Sequence, residues 1–165
     1  MKLLIMSDTH SATKTMEQVI ERHLQEVDAV IHCGDSELNA NYFKENPIHI
    51  VRGNCDMDER FPLEEVFSVQ DAKVLVVHGH KYNVKSTMTS LFYRAQEVQA
   101  SIVCFGHSHI LGAEMQDGIL FINPGSLQQP RGRKEKSYAI AEKTGDSWTI
   151  LFYSDEHILL EKVTL

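Results

Sequence analysis

The chain has 165 residues, of which 42% are hydrophobic, 24% are charged and four are proline. These values are typical of a soluble globular protein with a substantial core, so residues 1–165 are expected to form a single domain. The formal net charge of −7 argues against a protein that binds nucleic-acid backbones non-specifically, because such proteins carry a broad basic surface.

The cysteines and the first residues bear on the cellular compartment. Cys33, Cys55 and Cys104 are odd in number and show no Cys-x-x-Cys spacing, which favours free thiols and a cytoplasmic protein. Residues 1–6 are apolar but too few for a signal sequence or a membrane span. They are therefore interpreted as a strand, and no membrane partner is expected.

Apolar runs alternate with helical patterns in the first third of the chain. Residues 3–6 and 29–31 are continuous apolar runs, typical of strands that are covered on both faces. Between them, residues 12–27 carry apolar side chains at helical spacing, and Ser11 or Thr13 is expected to cap this helix.

A short helix over residues 38–44 and a third strand, starting at Pro47 and running through residues 48–51, complete this pattern. The order strand, helix, strand, helix, strand predicts a parallel βαβαβ unit, with its polar residues at the carboxyl ends of the strands.

Hairpins and one further helix are predicted in the rest of the chain. Apolar spacing places the helix over residues 88–98, and the apolar run 101–105 predicts another strand. The final third is interpreted as mostly an antiparallel meander. Turn residues separate three pairs of runs that are each expected to form a hairpin: 66–69 with 73–77, 111–116 with 119–122 around Asp117-Gly118, and 137–143 with 148–153 around Thr144-Gly145-Asp146.

Polar residues follow five of the predicted strands. Taken singly, each is well explained as a turn residue or as a histidine that binds a carbonyl group. Taken together, four histidines, two aspartates and one asparagine at the same position of five strands favour one shared site. The stretches are Asp8 with His10, Gly34-Asp35, Gly53-Asn54, His78-Gly79 and Gly106-His107-Ser108-His109.

Seven such groups exceed what one metal ion normally takes from a protein, whereas two ions sharing a carboxylate would use them all. Mixed carboxylate, imidazole and amide ligands suit manganese, zinc, iron or nickel better than calcium. Two divalent ions are therefore expected as cofactors, with manganese preferred.

In order and spacing, these motifs resemble the calcineurin-like metallophosphoesterase superfamily, and Gly53-Asn54-Cys55-Asp56 resembles its small, single-domain prokaryotic phosphodiesterase branch. The resemblance runs from residue 3 to about residue 131 and includes Asn123-Pro124-Gly125-Ser126, which is similar to that branch's loop after the last motif. It implies an α/β fold, a four-layer α-β-β-α sandwich of two mixed sheets. The family's pattern implies one metal ion held by Asp8, His10, Asp35 and His109, and a second held by Asp35, Asn54, His78 and His107, so that Asp35 bridges them.

The resemblance also implies an activity. A hydroxide shared between the two ions would attack phosphorus in line with the departing oxygen of a small-molecule phosphoester, most simply a phosphodiester. Two alternatives stay open: a broad phosphomonoesterase with the same site, and a non-catalytic protein-interaction scaffold, because a retromer subunit has this fold. A homo-oligomer is also open, with Phe92, Tyr93, Phe152 or Tyr153 as candidate exposed contacts.

Asn54, Cys55, Asp56 and His80 are the candidate catalytic residues. Cys55 stands where many superfamily members carry a histidine thought to protonate the leaving group. A thiol beside two cations is expected to become a thiolate, which cannot donate a proton, so esters with acidic leaving groups should be preferred. The alternative is that Cys55 is only a small residue that fits.

The expected roles of Asp56 and His80 are less specific. Asp56 could orient Asn54 or the loop beside the substrate, and His80 is either the next proton donor or a solvent-facing histidine. Arg131 and Arg133 form a compact basic cluster in which a solvated loop is favoured over a phosphate clamp. With no recognisable specificity insert, the substrate cleft is expected to be open and shallow.

Overall fold

The computed structural model describes residues 1–44 and 48–165. Its helices are α1 (Thr13–His23) and α2 (Thr89–Glu97), with 3₁₀ turns at Ala40–Phe43 and His80–Tyr82. The strands in chain order are β1 (Lys2–Met6), β2 (Ala29–His32), β3 (Ile48–Ile50), β4 (Glu64–Val69), β5 (Ala72–Val77), β6 (Ile102–Cys104), β7 (Gly112–Gln116), β8 (Ile119–Asn123), β9 (Ser137–Thr144), β10 (Ser147–Ser154) and β11 (Leu159–Thr164).

These strands form two mixed sheets. The six-stranded sheet has the order β11-β10-β9-β1-β2-β3, in which β1, β2 and β3 are parallel and β9 closes antiparallel on β1. The five-stranded sheet has the order β4-β5-β6-β8-β7, with β5, β6 and β8 parallel. The predicted parallel βαβαβ unit is thus present, although its second connection contains a 3₁₀ turn instead of an α-helix.

The layers follow from alternation of side chains along β1. Leu3 and Ile5 point into the core between the two sheets, whereas Leu4 and Met6 pack with the buried face of α1 on the outside of the six-stranded sheet. Because both faces are covered, the strand is a continuous apolar run. Helix α2 covers the outside of the five-stranded sheet, and the predicted four-layer α-β-β-α sandwich is confirmed.

All three predicted hairpins are present, but they do not form one meander. The β7–β8 hairpin belongs to the five-stranded sheet and the β9–β10 hairpin to the six-stranded sheet. Asp117 and Gly118 both have positive φ, 48° and 77°, as a two-residue hairpin turn requires.

Several local predictions differ from the structure. Neither Ser11 nor Thr13 caps α1. Ala12 is at the N-cap position, without a side-chain hydrogen bond among the described residues. Ser11 precedes it in the left-handed region. The helix predicted over residues 38–44 is only the 3₁₀ turn Ala40–Phe43, and the start of the third strand at Pro47 lies outside the described residues.

Two further differences concern the six-stranded sheet. Strand β11 was not predicted, because as an edge strand it is mostly exposed and lacks a regular apolar alternation. Phe152 is fully buried in the core and cannot form a subunit contact, whereas Tyr93 is 64% exposed. In the part of the chain that the structure describes, neither helix has the length and apolar character needed to cross a membrane.

Candidate metal centre

The loops after β1, β2, β3, β5 and β6 meet at one edge of the sandwich and are joined by main-chain hydrogen bonds. The amide of Asp8 donates to the carbonyl of Gly34 at 3.0 Å, and that of His10 donates to the carbonyl of Asp35 at 3.0 Å. In the other sheet, the amide of Gly106 donates to the carbonyl of His78, also at 3.0 Å. The predicted convergence at the carboxyl ends of the strands therefore occurs.

Within this edge, the seven predicted ligand side chains form one connected cluster. Asp8 Oδ1 lies 3.0 Å from His109 Nε2 and 4.0 Å from His78 Nε2. His78 Nε2 is 3.2 Å from both Asp35 Oδ2 and Asn54 Oδ1. The remaining two imidazoles pack on these rings, since His10 has its centroid 5.4 Å from that of His109, and His107 has its centroid 5.0 Å from that of His78.

Left-handed backbone conformations turn these side chains inward. Five of the seven candidate ligands have positive φ, a conformation that costs an L-residue about 1–2 kcal/mol. The loop hydrogen bonds described above hold the backbone in this conformation. The φ values are 53° at Asp8, 41° at His10, 55° at Asp35, 66° at His107 and 60° at His109.

Two glycines allow the carboxylates to lie directly against the backbone. A Cβ atom on Gly53 would lie 2.0 Å from Asp35 Oδ1, and one on Gly106 would lie 2.7 Å from Asp8 Oδ2. Any larger residue would displace the carboxylates, so glycine is needed for the close approach.

Three histidines are oriented by acceptors on their Nδ1 atoms. A carbonyl oxygen can only accept, so His78 Nδ1 donates to Cys33 O at 2.8 Å, and His109 Nδ1 donates to Gln129 O at 2.6 Å. His10 Nδ1 contacts Glu37 Oε1 at 2.6 Å. Each Nε2 atom is then directed into the cluster, which is the usual arrangement of metal-binding histidines.

Opposite charges in the cluster shift the pKa values of its members. Burial disfavours the charged forms, but the contacts between the carboxylates and histidines outweigh it. The pKa of Asp35 is lowered against burial by His78, and the pKa of His78 is raised against burial by Asp35 and Asp8. The neighbouring Asp8 raises the pKa of His109. Burial, with the positive charges of His78 and Lys85, lowers the pKa of His107 to about 4.

The cluster fits divalent cations. Asp8 Oδ1 and His10 Nε2 are buried and have no hydrogen-bond partner among residues 1–44 and 48–165, although Asp8 Oδ1 has His109 Nε2 at 3.0 Å. Ligand atoms that converge without hydrogen bonds are typical of a metal site. Three groups have ligand atoms within 4.8 Å of one another: Asp8 with His10 and His109, Asp8 with Asp35 and His78, and His10 with Asp35 and Cys55.

Asp56 is buried and holds the loops after β2 and β3 together. Its Oδ2 accepts from the amides of Asp35 at 2.8 Å and Gly53 at 2.7 Å. Its Oδ1 accepts from the amide of Glu37 at 2.7 Å and from Ser36 Oγ at 3.1 Å. With both oxygens engaged in this way, the carboxylate orients the main chain at Asp35 and at Gly53, the residue before Asn54.

Cys55 and His80 lie beside the cluster. The amide of Cys55 donates to Asp35 Oδ1 at 2.7 Å, and its thiol accepts from Asn54 Nδ2 at 3.2 Å. Burial and the Asp35 carboxylate raise the pKa of Cys55 to about 11, and the thiolate expected beside two cations stays a prediction. The ring of His80 lies 5.4 Å from that of His78, and burial and this neighbour lower its pKa.

Some residues that shape the site carry no sequence signal of their own. Glu37 anchors His10 although 27 positions separate them in the chain. Ser126 Oγ is fully buried and donates to the carbonyl of Asp8 at 2.8 Å. Asn123 Nδ2 donates to the carbonyl of Gly106 and to Ser108 Oγ, at 3.0 Å each. Only Asn123 and Ser126 were in a stretch that the sequence had singled out.

The chain was compared with known proteins. Residues 1–146 match the model of the calcineurin-like phosphoesterase superfamily domain. The probable metallophosphoesterase YsnB of Bacillus subtilis (strain 168) is 44% identical over 153 residues, which are 93% of this chain and 90% of that protein. The phosphodiesterase MJ0936 of Methanocaldococcus jannaschii is 32% identical over 151 residues, covering 76% of this chain and 83% of that protein.

A solved structure gives the same result. The crystal structure of a conserved uncharacterized protein of Streptococcus pneumoniae TIGR4, described as a predicted phosphoesterase, superposes with a TM-score of 0.93 at 33% identity, over 99% of this chain and 97% of that one. The sequence matches and this likeness agree with the cluster of candidate metal ligands at the strand ends. The chain belongs to the calcineurin-like phosphoesterase superfamily.

Proposed function

We propose that the protein is a metal-dependent phosphodiesterase with a binuclear metal centre, and that residues 1–165 form the single domain that carries this centre. The observation that carries this proposal is the connected cluster of seven side chains. In it, the buried Asp8 Oδ1 lies 3.0 Å from His109 Nε2, and the buried His10 Nε2 has no hydrogen-bond partner among the described residues. Two divalent ions, manganese by preference, would supply Lewis acidity toward the phosphoryl oxygens and lower the pKa of the attacking water.

Two sets of residues would hold the ions. Asp8, His10 and His109 form one of the groups with converging ligand atoms, and Asp35 joins His78 in another. Asn54 Oδ1 lies beside His78 Nε2, which supports Asn54 as a further ligand of the second ion, with His107 next to it. Asp8, His10 and Asp35 each occur in two of the three groups. Asp35 joins the two sets, since one group pairs it with His10 and another with His78, and this supports its bridging role.

In the reaction, water attacks phosphorus, the bond from phosphorus to one ester oxygen breaks, and an alcohol and a phosphomonoester are released. The residues of the chain orient the phosphoryl group and hold the carboxylates in place. Cys55 next to Asp35 is a poor proton donor either as a thiol of raised pKa or as a thiolate. A leaving group that departs without a proton is therefore favoured, and this supports diesters with acidic leaving groups over alkyl monoesters.

The cellular setting is proposed on simpler grounds. Cys33, Cys55 and Cys104 are free thiols, which supports action in the reducing cytoplasm on a small-molecule substrate.

Purified protein should be tested with manganese, zinc, iron and nickel on bis(4-nitrophenyl) phosphate and 4-nitrophenyl phosphate, together with metal analysis. The proposal expects about two bound ions and faster turnover of the diester. Asp35→Asn should lose both metal and turnover, whereas Asp71→Asn, at an exposed carboxylate paired with Lys143, should retain both. Bound metal without turnover of either ester would favour the scaffold, and faster monoester turnover would favour the phosphomonoesterase.

A further inference from the structure

A cavity of about 560 Å³ adjoins the metal-binding edge on the side of the five-stranded sheet. Ser108, which lies between His107 and His109, forms part of its wall. Arg131 forms another part, and its amide donates to the carbonyl of His109 at 3.0 Å. The cavity therefore opens beside the same loop that carries two candidate ligands, and the sequence had suggested only a shallow cleft there.

Apolar side chains make up the deeper wall of this cavity. Phe121 and Val84 are buried members of the apolar cluster on the outer face of the five-stranded sheet, and Met88 and Phe105 pack against it. A cavity of this size, apolar inside with a few polar groups at its edge, is typical of a small-molecule site.

Gly112 keeps the cavity open. It lies opposite Asn123 in the β7–β8 ladder, so any side chain at position 112 would point to the same face as Asn123 and Phe121. A Cβ atom at Gly112 would meet no heavy atom of the described residues within 4 Å. Since Gly112 is not among the positive-φ residues, the glycine is not needed for the backbone. Gly112 is the first residue of the edge strand β7, and a strand glycine without a conformational reason often marks a place that a ligand approaches.

Charge distinguishes this cavity from a second one, of about 610 Å³, that reaches Cys55. The second cavity is lined by Glu37, Asp58 and Glu59, and its Arg60 is paired with Asp58 at 2.6 Å. An anionic ester is repelled there.

The cavity beside Ser108 carries the exposed cations Lys85 and Arg131 and a single negative charge at Glu114, within the described residues that line it. A cationic rim on an apolar wall is complementary to a molecule with an anionic phosphoryl group and an apolar substituent.

We propose that this cavity binds the ester group that stays on phosphorus, and that this group is aromatic. This proposal rests on the proposed function. It takes the leaving group to depart on the side of Cys55, where the family resemblance implies the proton donor. The retained group then extends toward Ser108, its ring packs against Phe121, Phe105 and Met88, and Lys85 and Arg131 flank the phosphoryl group.

The test uses two diesters that release the same 4-nitrophenolate, phenyl 4-nitrophenyl phosphate and methyl 4-nitrophenyl phosphate. The ratio of their kcat/KM values isolates the retained group. Gly112→Phe should lower the phenyl-to-methyl ratio about tenfold, the scale of burying part of a ring, and Gly112→Val should lower it less. The matched control is Gln116→Phe, which adds the same ring to the same face of β7 outside the cavity.

Calorimetric titration of the manganese-loaded protein with phenylphosphonate and methylphosphonate provides a readout without turnover. The wild type should prefer phenylphosphonate, and the preference should fall in Gly112→Phe and Gly112→Val but not in Gln116→Phe. Thermal melting checks that each variant is folded, and Gly112→Val replaces Gly112→Phe if the larger side chain prevents folding.

The outcomes separate the two proposals. An unchanged phenyl-to-methyl preference in the folded Gly112 variants, an equal loss on both diesters, or no phenyl preference in the wild type overturns the cavity assignment. If the wild type turns over neither diester but its phenylphosphonate preference is lost in the Gly112 variants, the cavity assignment stands and the proposed function fails.

Discussion

Replacing Asp56 tests whether one buried carboxylate assembles the candidate metal centre. Asp56→Ala removes the acceptor of four hydrogen bonds, three from main-chain amides and one from Ser36 Oγ. Each buried donor left without a partner costs about 1–3 kcal/mol. Water entering the space would satisfy some of the donors, so the expected loss in unfolding free energy is about 3–5 kcal/mol.

Urea denaturation in the presence of a chelator measures this loss, because bound metal would otherwise add its own stabilisation. Asp56→Asn keeps the shape, but one oxygen becomes an amide that faces donors, and an intermediate loss is expected. Asp71→Ala, at an exposed carboxylate, is the control and should leave the unfolding free energy unchanged.

Activity separates positioning from acid catalysis. If Asp56 orients the main chain at Asp35, Asp56→Asn should weaken manganese binding and recover most of its kcat at saturating manganese. A loss of stability below about 1 kcal/mol in Asp56→Ala, or a kcat that stays abolished at saturating manganese in Asp56→Asn, would refute this reasoning.

Three other changes have defined outcomes. Gly53→Ala places a methyl group against Asp35 and should weaken manganese binding at least about tenfold. The control Gly112→Ala, whose methyl group meets no described atom within 4 Å, should bind manganese as the wild type does. Equal manganese affinities of the two variants, measured by calorimetry, would contradict this. Burial lowers the pKa of His32 to about 4 from its usual 6.5, so between these pH values the unfolded chain binds more protons than the folded one. The free energy of unfolding should therefore fall as pH drops through this window, by about 2 kcal/mol at pH 5. With a chelator present, His32→Gln should reduce this pH dependence, and an equally steep dependence in the variant would count against the assignment. Cys55→His restores a possible proton donor and should accelerate the hydrolysis of esters of poorly acidic alcohols by up to about 10²-fold, while changing the hydrolysis of 4-nitrophenyl esters little. An equal effect across a series of esters that differ in leaving-group pKa would argue against the idea that the wild type lacks a general acid.

The sequence predicted the architecture where periodicity is strong. Strand β1 is apolar on both faces because both faces are covered, and Asp117-Gly118 forms the turn that its residue types favour. Strand β11 escaped prediction because edge strands in contact with solvent lose the apolar signal. A longer helix was predicted after β2 where the structure has a 3₁₀ turn, because the apolar spacing of a short segment does not show how many of its residues become helical.

The gathering of the candidate ligands at one edge could be predicted from the sequence, but their contacts with other residues could not. Residues at strand ends gather because parallel strands end at one edge, so Asp8 and Asp35 could be placed near each other from the sequence. Contacts between residues far apart in the chain could not be predicted. Glu37 contacts His10, and Asp56 accepts hydrogen bonds from four donors. The cavity was also missed, because the signal of Gly112 is the space around it and not its neighbours in the chain.

The left-handed backbone at five candidate ligands sets a limit on engineering this protein. At about 1–2 kcal/mol each, the unfavourable conformations amount to a large part of the 5–15 kcal/mol by which a typical domain is stable. Glycine at His10 or His107 would relieve that cost and remove a ligand in the same step. Selection for heat resistance alone should therefore enrich inactive variants at these positions, a trade-off between stability and activity built into the main chain.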